Sequence, residues 1–335
     1  MEYLELHSKS LVVDTHCDTL KCFFPIFTRS RDSMWDDRSQ QGLGIRSISG
    51  HLDIPRLKEG GVNCQVFAIS SERKRFPSHP LRTALEMIER FNREVELNDE
   101  VFVPVTQYLE IIDAKKNGKV AAMLSIEGAD VLEGKIDIIG IFHKLGVRMI
   151  GLVHSLRNQI ADGVTDRRTR GGLTEFGVQV VEELERKGII IDVSHLNDEG
   201  FWDVINLTNK PIIASHSNSR TICDHPRNLT DDQIKAIAEV GGVIGVNFAP
   251  SFINPTLATV HGLVDHIDYI VNLVGPDHIG LGSDFDGIHN TPIGLEDVTK
   301  ISNITLELIK KQYSVEDIKK ILGYNHLKLI KKIVG

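Results

Sequence analysis

Long apolar segments are missing from this sequence of 335 residues. The amino terminus, MEYLELHSKS, is acidic and has no apolar stretch of the kind that a secretory signal needs. No uncharged apolar run reaches the roughly 20 residues that span a bilayer, which argues against a transmembrane helix. We therefore expect a cytoplasmic protein that does not contact the membrane.

Cysteine is also scarce, and the four cysteines Cys17, Cys22, Cys64 and Cys223 form no C-x-x-C pair. Such spacing favours free thiols in a reducing compartment. Basic residues are outnumbered, giving a net charge of −8, so a general affinity for nucleic acid or anionic membranes is not expected. The remaining composition, with 41% hydrophobic and 25% charged residues, is ordinary for a globular protein.

The chain does contain eight short apolar runs rich in β-branched residues, with helical patterns between most of them. Such runs are typical of strands buried on both faces of a parallel sheet. They cover residues 10–18, 61–70, 119–128, 147–155, 189–195, 211–217, 242–249 and 278–285. The alternation predicts an α/β fold, a closed (β/α)8 barrel of the TIM type, with a doubly wound open sheet as the alternative.

We expect residues 1–335 to form a single catalytic barrel domain. The stretch 28–50 has little periodicity and many charges, so it is predicted to be a long loop after the first strand. The tail 311–335 is predicted to form helices packed on the outside of the barrel. Thr230 and Gln233 have the spacing of a capping box, which predicts the start of a helix.

Polar residues follow the apolar runs where each run ends. The first run ends in Asp14, His16 and Asp18, whose spacing of two would place them on one face of a strand. Later runs end in single residues of the same kinds: Glu127, His154, His195, His216 and Asp284. A closed barrel would gather these ends around one mouth, whereas an open sheet would spread them over two edges. Their positions favour the barrel.

Histidine and carboxylate side chains without a thiolate cluster suit Zn²⁺, with Mn²⁺ and Co²⁺ as alternatives. Each residue alone has an ordinary explanation, such as a buried hydrogen-bonded histidine. As a set they exceed what one catalytic zinc needs, which suggests two metals with Glu127 bridging them. Asp14, one step deeper, is predicted to be a supporting carboxylate. Cys17, between the two first-strand ligands, is predicted to be a packed core residue.

Several segments resemble the membrane (renal) dipeptidase family of zinc peptidases, which belongs to the amidohydrolase-like barrel superfamily. The resemblance extends from about residue 10 to about residue 330. Its segments are DTHCD, SIEGAD, GLVHSLRNQIADG, GLTEFGVQVVEELERKGIIIDVSH, SHSNSR, PRNLTDD and GLGSDFDG followed by GLEDV. It implies a zinc-dependent dipeptidase that tolerates a D-residue at the C-terminal position, and it suggests a homodimer.

The resemblance also implies which residues bind the metals. His16 and Asp18 would bind one zinc ion, and His195 and His216 would bind the other. Glu127 would bridge the pair. The chain lacks the signal peptide and the C-terminal lipid-anchor signal of the mammalian members, so we expect a soluble member of prokaryotic type.

Three further residues match family positions that contact the substrate. His154 would contact the scissile group and stabilise the oxyanion when a hydroxide between the metals attacks the peptide carbonyl. Arg227 would bind the carboxylate of the dipeptide, which demands a free C-terminus. Asp284 would either carry the proton to the leaving amine or bind the substrate's ammonium group.

Two other functions stay open at this point. An amidohydrolase-type enzyme on the same barrel could act on N-acyl amino acids, lactams or lactones with the same metals. A non-enzymatic metal-dependent binding protein is the third alternative. The complete ligand set and Arg227 argue against it, because loss of activity usually removes a ligand.

Overall fold

Strands and helices alternate along the computed structural model, which describes residues 2–24, 41–70, 79–166 and 168–335. The strands are β1 Val13–Cys17, β2 Cys64–Ser70, β3 Phe102–Pro104, β4 Val120–Glu127, β5 Val147–Gly151, β6 Ile190–Asp192, β7 Ile213–Ala214, β8 Val243–Val246 and β9 Ile279–Leu281. The α-helices of the described residues are Tyr3–Lys9, Ile54–Glu59, Pro80–Leu97, Tyr108–Lys116, Ile138–Lys144, Glu175–Lys187, Asp198–Leu207, Asp231–Glu239, Pro250–Ile253, Val260–Val274, Ser302–Lys310, Val315–Lys319 and Asn325–Ile333. Thr230 caps the helix Asp231–Glu239 in a capping box with Gln233, as predicted.

The strands close into a barrel in which all neighbours are parallel. The order is β2-β1-β9-β8-β7-β6-β5-β4, and β4 pairs back to β2. That closing ladder runs in register from Cys64 opposite Ala121 to Ser70 opposite Glu127. The eight predicted strands and the closed (β/α)8 barrel are therefore confirmed, and the open sheet is excluded.

A ninth strand, β3, was not predicted from the sequence. It pairs with Val120–Ala122 at the start of β4, whereas β5 pairs with the later residues of the same strand. Three residues are too few to show an alternating pattern, and Pro104 cannot donate a ladder hydrogen bond. Short edge strands of this kind carry little signal in a single sequence.

The barrel interior changes from apolar to polar along the strands. Near the amino-terminal end, inward side chains form an apolar cluster that includes Val13, Met123, Met149, Ile190, Ile213 and Val243. Two residues further along three of these strands stand Asp192, Ser215 and Gly245. A Cβ on Gly245 would lie 2.2 Å from the carbonyl oxygen of Ser215, so only glycine fits there. The polar layer supports the functional residues above it.

The last helix, Asn325–Ile333, contacts the amino-terminal end of the barrel. Its residues Leu329, Ile330 and Ile333 belong to the inner apolar cluster rather than to the larger core between strands and helices. Of the loop predicted at 28–50, residues 28–40 lie outside the described residues. Residues 41–50 form turns and bends.

Candidate active site

A cavity of about 490 Å³ opens at the carboxyl ends of the barrel strands. This volume is typical of a site for a small molecule. Its charged and imidazole side chains are Asp18, Lys21, Glu127, His154, His195, Arg227, Asp284 and His289. The segment from Ala249 to Phe252 and Ile288 contribute apolar surface.

Four histidines converge on Glu127, the buried last residue of β4. Its Oε1 lies 3.0 Å from Nε2 of His195, 3.4 Å from Nε2 of His16 and 3.6 Å from Nε2 of His216. Its Oε2 lies 3.8 Å from Nε2 of His154. The structure thus brings together side chains from positions that are far apart in the sequence.

The first strand reaches the site differently from the sequence-based expectation. β1 ends at Cys17, and Asp18 begins the 3-10 turn Thr19–Phe23. The pairing of β1 with β2 also shifts between Asp14 and Cys17. The expectation that Asp14, His16 and Asp18 share one face of a regular strand is therefore wrong. His16 and Asp18 still meet at the site, because the turn redirects the chain.

Asp14 and Cys17 have the supporting positions that the sequence predicted. Asp14 is buried and accepts hydrogen bonds from the backbone N–H of Ser283 at 2.8 Å and from its hydroxyl at 2.6 Å. It thereby joins β1 to the turn that carries Asp284. Cys17 is buried in the core between the barrel and its helices.

His195 and Asp284 adopt left-handed backbone conformations. Their φ angles are 68° and 63°, and each follows its strand by three residues. Residues with a Cβ enter this region at a cost of about 1–2 kcal/mol, so it concentrates at functional turns. In this structure the turn lets both side chains line the cavity.

A chain of hydrogen bonds fixes the orientation of His216. The Ser215 hydroxyl donates to Oδ2 of Asp192 at 2.5 Å and lies 2.7 Å from Nδ1 of His216. Because the hydroxyl proton goes to the carboxylate, Nδ1 of His216 must be the donor to Ser215. The lone pair of its Nε2 then faces Nε2 of His195, 2.8 Å away. Two such nitrogens repel each other unless a cation or a proton lies between them.

Burial and charge set the protonation of the cluster. Burial lowers the pKa of His195 and His216 well below the usual value for imidazole, which keeps both rings in the neutral form. Burial opposes ionisation of Glu127, but His154, Lys21 and His16 outweigh it and hold its pKa well below the usual range. Neutral imidazole and ionised carboxylate are the forms that bind metals.

The described residues fit a metal centre. Three groups have ligand atoms within 4.8 Å of one another: His16, Glu127 and His216; Glu127, His154 and His195; His16, Asp18 and Asp284. Two buried ligand atoms, Nε2 of His16 and Oε2 of Glu127, form no hydrogen bond with the described part of the chain. Buried polar atoms without hydrogen bonds are rare, and such atoms often face an ion. Nitrogen and oxygen ligands of this kind suit zinc and similar metals.

Arg227 forms part of the cavity wall, and its side chain is buried rather than exposed. Its Nη2 donates to the carbonyl oxygen of His216 at 3.1 Å, and its Nη1 lies 3.4 Å from the hydroxyl of Ser217. Its Nε makes no hydrogen bond within the described ranges. A buried guanidinium with an unused donor beside a cavity is suited to an anionic ligand group.

Three residues at the site were not predicted from the sequence. Lys21 lines the cavity although a single lysine after a strand gives no pattern. Asn247 donates from Nδ2 to Oδ2 of Asp284 at 2.9 Å. A Cβ on Gly287 would lie 2.2 Å from Oδ1 of Asp284 and 2.3 Å from Oδ2 of Asp18, so glycine is required there. Gly287 lies within the segment GLGSDFDG, which was the one available signal.

No helix in the described part of the chain has the length and apolar character needed to cross a membrane.

The sequence is similar to known dipeptidases along most of its length. The family model described as membrane dipeptidase (peptidase family M19) matches residues 1–334. The dipeptidase aclJ of Aspergillus oryzae is 32% identical over 84% of this chain and 70% of its own length.

Two solved structures are similar over nearly the whole chain. One, the dipeptidase AC, a metallopeptidase of family M19, has a TM-score of 0.84 at 30% identity and covers 97% of this chain and 99% of its own. The other, a metallopeptidase from Rhodobacter sphaeroides bound to a phosphinate mimic of L-Ala-D-Ala, has a TM-score of 0.84 at 28% identity, with 97% and 100% coverage. The chain belongs to the membrane dipeptidase family, peptidase family M19, and is a hydrolase of the dipeptidase type.

Proposed function

We propose that this dipeptidase uses two zinc ions at the mouth of the barrel. His16 and Asp18 would hold one ion, His195 and His216 the other, and Glu127 would bridge them. The convergence of three histidine Nε2 atoms within 3.6 Å of one carboxylate oxygen supports this assignment. When bound, the ions would supply a shared hydroxide at neutral pH and polarise the scissile carbonyl.

The residues of this chain would position the dipeptide and move its protons. His154, half-buried at the cavity wall, would donate a hydrogen bond to the oxyanion that develops on the scissile carbonyl. Asp284 has its pKa raised to about 6 by burial, which suits a group that accepts and returns a proton near neutral pH. The alternative role for its carboxylate is an ion pair with the substrate's ammonium group.

Arg227 supports a preference for dipeptides that have a free C-terminal carboxylate. Its guanidinium is buried at the cavity, and burial lowers its pKa, so an anionic partner would stabilise it. A residue that binds the C-terminal carboxylate leaves no room for a longer peptide beyond the scissile bond.

Tolerance of a D-residue at the C-terminal position is part of the proposal. The relative from Rhodobacter sphaeroides binds a mimic of L-Ala-D-Ala, which supports it for the family. We further propose that residues 1–335 form one catalytic domain. The cytoplasmic location and the homodimer stay predictions from the sequence.

A substrate panel with a matched arginine variant tests the proposal. Zinc-loaded protein should release amino acids from L-Ala-L-Ala and L-Ala-D-Ala but act poorly on L-Ala-L-Ala amide. Arg227→Met should raise KM for the free dipeptide by about 30-fold or more, since truncating a buried charge pair costs about 2–5 kcal/mol. It should also remove the preference for the free acid over the amide.

Arg220→Met is the control, because Arg220 is paired with Asp198 and does not line this cavity. It should leave the preference unchanged. An unchanged KM in Arg227→Met would contradict the carboxylate-binding role. Hydrolysis of N-acetyl-L-Ala without hydrolysis of the dipeptides would favour the amidohydrolase alternative.

A further inference from the structure

Lys21 is a lysine whose side chain is almost completely buried. It lies in the 3-10 turn Thr19–Phe23 and is 1% exposed. Removing an ammonium group from water is costly unless opposite charges surround it. Its position at the cavity of a dipeptidase therefore requires an explanation that the proposed mechanism does not give.

The ammonium group faces the carboxylates proposed to bind metal. Nζ of Lys21 lies 2.7 Å from Oδ1 of Asp18 and 3.6 Å from Oε2 of Glu127. These are a proposed ligand of the first metal and the proposed bridge. A cation of the protein itself thus lies against the same carboxylates that a divalent ion would need.

A metal ion and this ammonium group repel each other, and both are attracted to the same two carboxylates. Lys21 contacts Asp18 more closely than Glu127, and Asp18 would bind only the ion on the side of His16, whereas Glu127 would bind both ions. On the other side of the proposed centre, Nε2 of His195 and Nε2 of His216 lie 3.0 Å and 3.6 Å from Oε1 of Glu127, whereas Lys21 faces Oε2 of that carboxylate.

We infer that Lys21 is a resident counter-cation of Asp18 and Glu127 that makes the two metal positions unequal. It stabilises the metal-free site and weakens binding of the ion on the side of His16 and Asp18. This inference depends on the proposed function, because it assumes that Asp18 and Glu127 bind metal. In this role Lys21 is a positioning residue that acts through the two carboxylates.

Metal titration of the metal-free protein tests the inference. Calorimetry with Zn²⁺, in the presence of a competing chelator, should resolve a tighter and a weaker event in the wild type. Lys21→Met should tighten the weaker event at least tenfold and leave the tighter event within about threefold. The metal-free variant should also unfold at a lower temperature, because two buried carboxylates lose their counter-cation.

Two further variants keep the test decisive. Lys21→Gln retains a donor without the charge and should tighten the weaker event in the same direction, even if Lys21→Met folds poorly. Lys115→Met is the control, since half-buried Lys115 bonds to Ser10 and Asn63 near the start of β1. It should leave both metal affinities unchanged.

The outcomes separate the inference from the proposed function. Weaker or unchanged binding of the second ion in both Lys21 variants would overturn the inference while leaving the dizinc proposal intact. Hydrolysis that is indifferent to metal, or a wild type that binds no zinc, would overturn the proposed function and the inference with it.

Discussion

At the scale of single residues, Asp284 binds a proton more tightly in the folded chain than in the unfolded chain. Burial raises its pKa from the ordinary 3.8 to about 6. Between these values the folded state holds the additional proton, so the stability that this group contributes decreases as the pH rises. Above pH 6 the ionised carboxylate costs the metal-free protein up to about 3 kcal/mol.

Asp284→Asn should therefore stabilise the metal-free protein at pH 7 by up to about 3 kcal/mol and have little effect below pH 4. The amide oxygen can still accept the hydrogen bond from Nδ2 of Asn247. Denaturant unfolding of chelator-treated protein at several pH values measures the difference. Asp232→Asn, at an exposed carboxylate, is the control. An effect of Asp284→Asn that does not vary with pH would contradict the argument.

At the scale of elements, the sequence predicts the strands well and their ends poorly. Each run of apolar residues indicates a buried strand, but several strands end before the polar site residue that follows, as β5, β6, β7 and β9 do before His154, His195, His216 and Asp284. β6 ends at Asp192, although its predicted run continues to His195. The sequence gives no sign of the left-handed turn that directs His195 into the cavity. Residues other than glycine seldom adopt a positive φ, so a histidine at this position does not predict such a turn.

The site residues themselves were predictable where their residue types are unusual at a strand end. Glu127 and His216 follow apolar runs directly, and a barrel must bring such ends together. Lys21 and Asn247 were not predictable, since their roles depend on contacts with Glu127 and Asp284, which are distant in the sequence. The same limit applies to the last helix, whose apolar stripe does not reveal whether it covers a wall or an end of the barrel.

The helix Asn325–Ile333 gives a prediction at this scale. Ile330 is 1% exposed and belongs to the apolar cluster inside the barrel's amino-terminal end. Ile330→Ala should destabilise the protein by about 2–5 kcal/mol, as large-to-small core substitutions do. KM for dipeptides should not change, because the cavity lies at the opposite end. Thermal unfolding and steady-state kinetics measure the two effects.

Lys328→Ala, at an exposed position of the same helix, is the matched control and should change neither stability nor KM appreciably. A rise in KM for Ile330→Ala that parallels its loss of stability would show that the two ends of the barrel are coupled. Core packing at the amino-terminal end of the barrel would then influence substrate binding at the opposite end.

At the scale of the whole molecule, the candidate metal centre joins strands that are distant in the sequence. His16 lies in β1, Glu127 ends β4, and His195 and His216 come after β6 and β7. The unfolded chain does not hold these groups together, so ions that bind them stabilise only the folded state. The apolar clusters do not include these side chains, so the barrel should persist without the ions.

Chelation should therefore lower Tm while leaving the circular dichroism spectrum at 25 °C unchanged. Restoring zinc at about a thousandfold excess over Kd should return about 4 kcal/mol of stability for each site. His216→Ala should lose most of this response because it removes a ligand, whereas His261→Ala, at an exposed helix position, should keep it. Equal Tm values in chelator and in excess zinc would mean that the folded barrel holds no metal. The cluster around Glu127 would then need another explanation for its unsatisfied buried atoms.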